Sequence, residues 1–147
     1  MPIITFQVQA DGPIVSAAVG VSLPRRKLLQ DQGLPIPNLV VGSFLVDTGA
    51  TITAVDPDLI APLQLPLVGS VSVHTPSTGK DSVFIDQYDA SFVVPGNTPD
   101  GTLVVGAVPI VAAHLRSQGI DGLIGRDILD RCLLIYNGTT GVVSLAH

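Results

Sequence analysis

Glutamate does not occur in this chain: all 12 of its acidic residues are aspartate. Glu favours helices whereas Asp favours turns and loops, so the absence argues against a helical protein. Cysteine occurs once, at Cys132, which excludes an intrachain disulfide and any Cys-based zinc site. Set in Cys132-Leu133-Leu134-Ile135, it reads as a buried structural thiol rather than a nucleophile. His74, His114 and His147 are far apart and lack ligand spacing, so neither a metal nor a cofactor is expected. The seven basic residues form no broad patch and the net charge is −5, which speaks against nucleic acid as a partner. No apolar run reaches the length of a membrane span. Met1-Pro2-Ile3-Ile4-Thr5-Phe6-Gln7 lacks the basic start and apolar core of a signal peptide. A soluble cytoplasmic protein with no membrane partner is therefore expected.

What is present is apolar content of 46% over 147 residues, with mean hydropathy +0.53. That is enough for one domain with a real core, spanning residues 1–147. The 15 glycines and 12 prolines point to many short strands joined by turns. Ile3 to Gln9 alternates as a half-buried strand does. Asp11-Gly12 predicts a hairpin turn into a second strand, Pro13 to Ser22. Residues 23–38, "LPRRKLLQDQGLPIPN", read as a long surface loop containing the one basic run, Arg25-Arg26-Lys27. Strands are predicted at Leu39 to Val46 and Ile52 to Val55, with a helical turn over Pro57 to Pro62. Residues 68–96 predict a long hairpin with a polar tip, and Gly101 to Val111 another strand. A short helix near Arg126 to Asp130, a strand Cys132 to Tyr136, a turn at Asn137-Gly138 and a strand Val142 to Leu145 complete an all-β domain with one or two short helices.

Two elements carry chemistry. "FLVDTGAT", residues 44 to 51, ends an apolar strand on Asp47, followed by the small residues of a tight loop. Downstream, "DGLIGRDIL" offers Leu123-Ile124, then Gly125, then Arg126 at a helix start. Alone, Asp47 could be a turn aspartate, Leu123-Ile124-Gly125 an ordinary core strand and turn, and residues 74–80 a plain exposed hairpin. Together and in this order, with the hairpin between them, they resemble the retroviral-type (retropepsin-like) aspartic peptidases over about residues 39 to 136.

The resemblance implies a closed acid-protease β-barrel with a flap hairpin, acting on extended peptides, with no metal or cofactor. Such an enzyme needs two carboxylates flanking one water. Like charges that close share a proton and titrate as a coupled pair, which implies activity on the acidic side of neutrality. This chain has one Asp-Thr-Gly, so the resemblance implies a homodimer contributing Asp47 from each protomer. It assigns Thr48, Gly49 and Ala50 to the active-site loop, with Thr48 bonding across the dimer. It makes His74, Thr75, Pro76, Ser77, Thr78, Gly79 and Lys80 the flap tip over the substrate. Leu123, Ile124, Gly125 and Arg126 support the loop from behind. In retroviral members the arginine pairs with an acid shortly after the aspartate; here Thr51-Ile52-Thr53 fills that stretch. Asp56 or a residue of the other protomer is then the expected partner.

Aspartic endopeptidase is thus the leading function. A retropepsin-fold dimer that binds or scaffolds peptides with little proteolysis is the alternative. An unrelated monomeric β-barrel with an apolar pocket is the third, separable from both by molar mass. The loop 23–38 and the hairpin beyond Tyr136 depart most from a minimal retroviral enzyme. Edge strands near either terminus are the candidates for the dimer contact.

Overall fold

The computed structural model describes residues 1–74, 79 and 81–147. Its strands are β1 (Ile3–Gln7), β2 (Ile14–Gly20), β3 (Val40–Val46), β4 (Ala54–Val55), β5 (Leu67–Val73), β6 (Val83–Val94), β7 (Leu103–Ala112), β8 (Gly122–Ile124), β9 (Leu133–Asn137) and β10 (Val142–Ala146). Three short α-helices interrupt them: α1 (Leu23–Asp31), α2 (Pro57–Ile60) and α3 (Arg126–Leu129). The order β2-β3-β8-β4-β7-β6 returns to β2 through Ala18↔Val93 and its neighbours, which closes a barrel. Closure removes the exposed edges that an open sheet would carry. β5 hangs on the first half of β6 as the predicted hairpin. A separate antiparallel sheet, β1-β10-β9, covers one side.

Alternation along the strands fills the barrel. Phe44, Val46, Val19, Phe92, Val94, Ile110 and Ile124 point inward and are buried, with Phe44 and Phe92 edge to face at 5.0 Å. Gly122 sits opposite Phe44 in the β3–β8 ladder. A Cβ there would lie 2.3 Å from the Phe44 ring and 2.6 Å from the Ala54 carbonyl. The ring occupies the space that a side chain at 122 would need.

Two expectations fail. Residues 23–31 are helical, where a loop was predicted. Pro24 lies in the first turn, where a missing N–H costs nothing, and the Ser22 side chain accepts the Arg25 N–H to cap it. The loop is confined to residues 32–39. The turn at Asp11-Gly12 does form, with Gln9 and Gly12 exchanging backbone bonds of 2.9 and 3.0 Å. Its flanking strands nevertheless part: β1 pairs with β10, and β2 joins the barrel. Pro13 has no N–H with which to continue the ladder, and its carbonyl instead accepts the Val46 N–H at 2.9 Å. Among the described residues, no helix is long and apolar enough to cross a membrane.

Candidate active site

β3 and β8 run parallel, in register at Phe44↔Gly122, Leu45↔Leu123 and Val46↔Ile124. β4 pairs with the other side of β8. The chain leaving β3 must therefore cross the end of β8 to reach β4, and residues 47–53 are that crossing. The Asp47 N–H extends the ladder by bonding the Ile124 carbonyl at 3.0 Å. Its side chain then emerges at the rim of the barrel, part-exposed rather than sunk in the core, where a charge can stay hydrated. Asp47 Oδ1 accepts the Gly49 N–H at 2.8 Å, and the Ala50 N–H turns back to the Asp47 carbonyl at 3.2 Å. Thr48 and Gly49 lie exposed at the tip of this turn.

The crossing is held from below by the segment that follows β8. A Cβ on Gly125 would stand 2.7 Å from the Ile52 carbonyl carbon and 2.9 Å from the Thr53 nitrogen, so the two backbones touch where only glycine fits. Just beyond, the Arg126 N–H bonds the Ala50 carbonyl at 2.8 Å and the Asp127 N–H bonds the Thr51 carbonyl at 3.3 Å. Among the described residues, the Arg126 side chain finds no acid. Its Nη1 donates to the Thr48 carbonyl at 2.8 Å and its Nη2 to Thr51 Oγ1 at 3.1 Å. Asp56, the partner expected within the chain, is engaged elsewhere. It caps α2 through the Asp58 N–H and accepts the N–H groups of Leu115 and Arg116 at 2.8 and 2.9 Å. Burial pushes the Asp56 carboxyl upward, but bonds from the Arg116, Asp58 and Leu115 N–H groups, aided by the Arg116 guanidinium, outweigh it. The net position is below the ordinary carboxylate range.

Two supporting residues escaped the reading of the sequence. Thr53, fully buried, donates its hydroxyl to Asp127 Oδ1 at 2.7 Å and accepts the Gly125 N–H at 3.1 Å. Asp127 also receives the Thr53 N–H, at 3.0 Å to Oδ2, and the Ile128 N–H at 2.9 Å. A carboxylate thus ties the far end of the crossing to the start of α3. The signal was visible only as a threonine six positions after Asp47 and an aspartate after Gly125-Arg126.

The two apolar residues before Gly125 face opposite ways, as alternation requires. Ile124 is buried in the main core. Leu123, beside Leu45, joins a second cluster with Ile52, Val111, Leu115 and Ile120, which extends to Val71 and Ile85 on the β5–β6 hairpin. An aliphatic wall therefore runs from the Asp47 loop to the hairpin. At its tip His74 is exposed, and Gly79 adopts φ +62°. Thr75, Pro76, Ser77, Thr78 and Lys80 lie outside the described residues. On the opposite side of the Asp47 loop, a groove of about 260 Å³ is bounded by Pro13, Val46, Thr48, Leu134, Tyr136 and Val143. Cys132 is remote in role: burial pushes its thiol up, against the pull of Arg131, which opposes thiolate chemistry.

Comparison with known proteins agrees with this geometry. None of the curated proteins matches the chain. A retropepsin-like aspartic protease from Rickettsia conorii has a similar crystal structure, with a TM-score of 0.58 over 97% of this chain and 89% of that one. At 15% sequence identity, that likeness establishes the retropepsin-like fold. The family described as aspartyl protease matches residues 36–128, which include the whole Asp47 crossing, β8 and all but the last residue of α3 beneath it. By that match over most of its length, the chain belongs to the aspartyl protease family.

Proposed function

We propose that the protein is an aspartic endopeptidase whose active site forms between two copies of the chain, each supplying Asp47. The observation that carries this is the presentation of Asp47. Its backbone is locked to β8 and one oxygen is held by the Gly49 N–H. Its other oxygen has no partner among the described residues. One such carboxylate cannot run the reaction, and the chain contains no second Asp-Thr-Gly. A two-fold axis beside Thr48 supplies the second.

In the assembled pair, the two carboxylates share one proton, because like charges a few ångströms apart do not both ionise easily. The ionised carboxylate takes a proton from water as the water oxygen attacks the scissile carbonyl carbon. The protonated one donates a hydrogen bond to the oxygen on which negative charge develops. Collapse of the tetrahedral species breaks the C–N bond, and the leaving nitrogen takes the proton that the first carboxylate removed from water, which returns the pair to one shared proton. Thr48 braces the two loops against each other, Gly49 offers its exposed backbone to the peptide, and Ala50 keeps the loop small. Leu123 contributes to the apolar wall on which substrate side chains rest, while Ile124, Gly125 and Arg126 hold the loop in place. The β5–β6 hairpin, with residues 74–80 at its tip, closes over an extended peptide and excludes water.

The test is incubation of the protein with a diverse peptide mixture at acidic to neutral pH, beside Asp47→Asn. Cleavage is expected on the acidic side and only with Asp47 intact. Cleavage that survives the substitution, or an optimum well above neutrality, overturns the assignment.

A further inference from the structure

We propose that the barrel wall beside α1 is a docking surface for a lipid bilayer bearing anionic headgroups, seated at the end of the barrel away from Asp47. Two neighbouring rows of outward-facing residues build it. In the first, Ala18 of β2 lies opposite Val41 of β3 and Val93 of β6, and Val93 lies opposite Val104 of β7. In the second, Gly20 lies opposite Ser91, and β7 bulges beside Ser91 at Gly106. This second row has almost no side chains of its own, and two leucines lie in it. A Cβ on Gly20 would stand 2.5 Å from Leu39 Cδ2, and one on Gly106 would stand 2.5 Å from Leu23 Cδ1. Leu39 and Leu23 thus fill the troughs, and both rows present aliphatic carbon outward. Leu23, Leu39, Val41 and Val104 are each more than half exposed.

Cations flank this surface. Leu23 opens α1, and Arg26 and Lys27 follow three and four residues later, on the Leu23 side of the helix. Both are exposed. Among the described residues neither has an acidic partner; the ion pair there joins Arg116 to Asp121. With Arg25 they are three of the seven basic residues of a chain whose net charge is −5. An apolar centre with a basic margin suits a face that lies on an anionic bilayer, its aliphatic groups entering the headgroup region and its cations meeting the phosphates.

Other occupants fit less well. β2, β3, β6 and β7 are each paired on both sides, so a peptide finds no backbone there to extend. α1 carries one acid, Asp31, against three cations, so the same face of a second copy lacks the negative charge to meet them. A bilayer supplies that charge across its whole surface and needs no groove. The lack of a membrane span predicts no membrane partner, but contact with a surface requires no span. Val41 lies near the start of β3 and Asp47 just past its end, about 20 Å away by the strand rise. The docked protein holds the Asp47 loop clear of the bilayer.

The chain has no tryptophan, so a single introduced one reports on its own surroundings. The Val104→Trp protein should co-sediment with phosphatidylcholine vesicles containing about one-third phosphatidylserine. Its emission should shift to the blue and be quenched by brominated lipid. Phe84→Trp, on the hairpin and 72% exposed, should bind the same vesicles with its emission unmoved. The parent should ignore pure phosphatidylcholine, and its binding should fall as salt is raised. Replacing both cations, Arg26→Gln with Lys27→Gln, should weaken partitioning roughly thirtyfold, at about fivefold per cation. Val41→Asp, at an exposed position, should abolish binding while keeping the parent's melting temperature. No binding of the parent to the anionic vesicles overturns the proposal. So does binding that survives the loss of Arg26 and Lys27, or a blue shift in Phe84→Trp instead of Val104→Trp. A Val104→Trp emission already blue before lipid is added, with a molar mass that Val41→Asp lowers, assigns the face to a second copy and overturns it also. Cleavage of peptides free in solution is read separately, so the peptidase reading stands or falls on its own test.

Discussion

Thr53→Val removes one oxygen from the centre of the loop support and changes little else in shape. That hydroxyl is fully buried and makes two bonds, to Asp127 Oδ1 at 2.7 Å and from the Gly125 N–H at 3.1 Å. The first is charge-assisted and contributes about 1.5–3 kcal/mol; leaving the buried Gly125 N–H without an acceptor costs about 1–3 kcal/mol. The added methyl returns about 0.8 kcal/mol at most. The net loss is then roughly 3 kcal/mol. In a domain of this length, each kcal/mol moves the melting temperature about 2–4 °C, so a fall of roughly 6–12 °C is expected by calorimetry. Protein concentration must be matched, because any association between copies would add its own stabilisation. Thr51→Val is the internal control. Its hydroxyl is exposed and, among the described residues, accepts only from Arg126 Nη2, so its effect should stay within about 0.5 kcal/mol. If Thr53→Val loses less than about 1 kcal/mol, or the two variants behave alike, the idea that this buried hydroxyl anchors the crossing is refuted.

Gly125→Ala puts a carbon against the backbone of Ile52 and Thr53, and neither can step aside. It should lose at least about 3 kcal/mol or fail to fold, as read from soluble yield and melting temperature. Arg126→Met leaves an exposed position but frees the Thr48 carbonyl. The expected outcome is a stability change within about 1 kcal/mol and a fall in kcat of at least about tenfold with KM little altered; equal rates would remove Arg126 from the positioning of the loop. Asp56 is held below its ordinary range, and the sign follows from linkage. The stabilisation from its ionised form is present above about pH 4, where the unfolded group titrates, and is lost as pH falls through the lower folded value. Asp56→Asn should accordingly be less stable than the parent near neutrality, and the gap should narrow in melting curves taken below about pH 4. A gap that stays constant contradicts the linkage.

Local chemistry made the site legible, and long-range geometry made the rest of it illegible. Asp47, the turn through Thr48 and Gly49, and the glycine after Leu123-Ile124 are consecutive residues whose types suit one tight loop and one close approach. The hairpin between them declares itself by alternating Val, Ile and Phe. The link between Thr53 and Asp127 spans 74 positions, and no periodicity marks it, because a single hydroxyl and a single carboxylate suffice. The same limit explains Arg126: its fork meets a carbonyl and a hydroxyl, acceptors that every loop offers and no residue type announces. Pro24 misled in another way. Proline stops a helix only where an N–H is needed, and the first turn needs none, so Ser22 and Pro24 together begin α1 where a proline count predicts a loop. Asp11-Gly12 formed its turn yet joined no hairpin, since Pro13 ends the ladder at once. For Arg126 and for Asp11-Gly12 the residue types were read correctly and the partner was not. The two edges of the β1-β10-β9 sheet follow the same rule. Their strands are alike in composition, and what separates them is Asn97, which lies 92 positions from Thr5 and closes one edge, while the other has no such cover among the described residues.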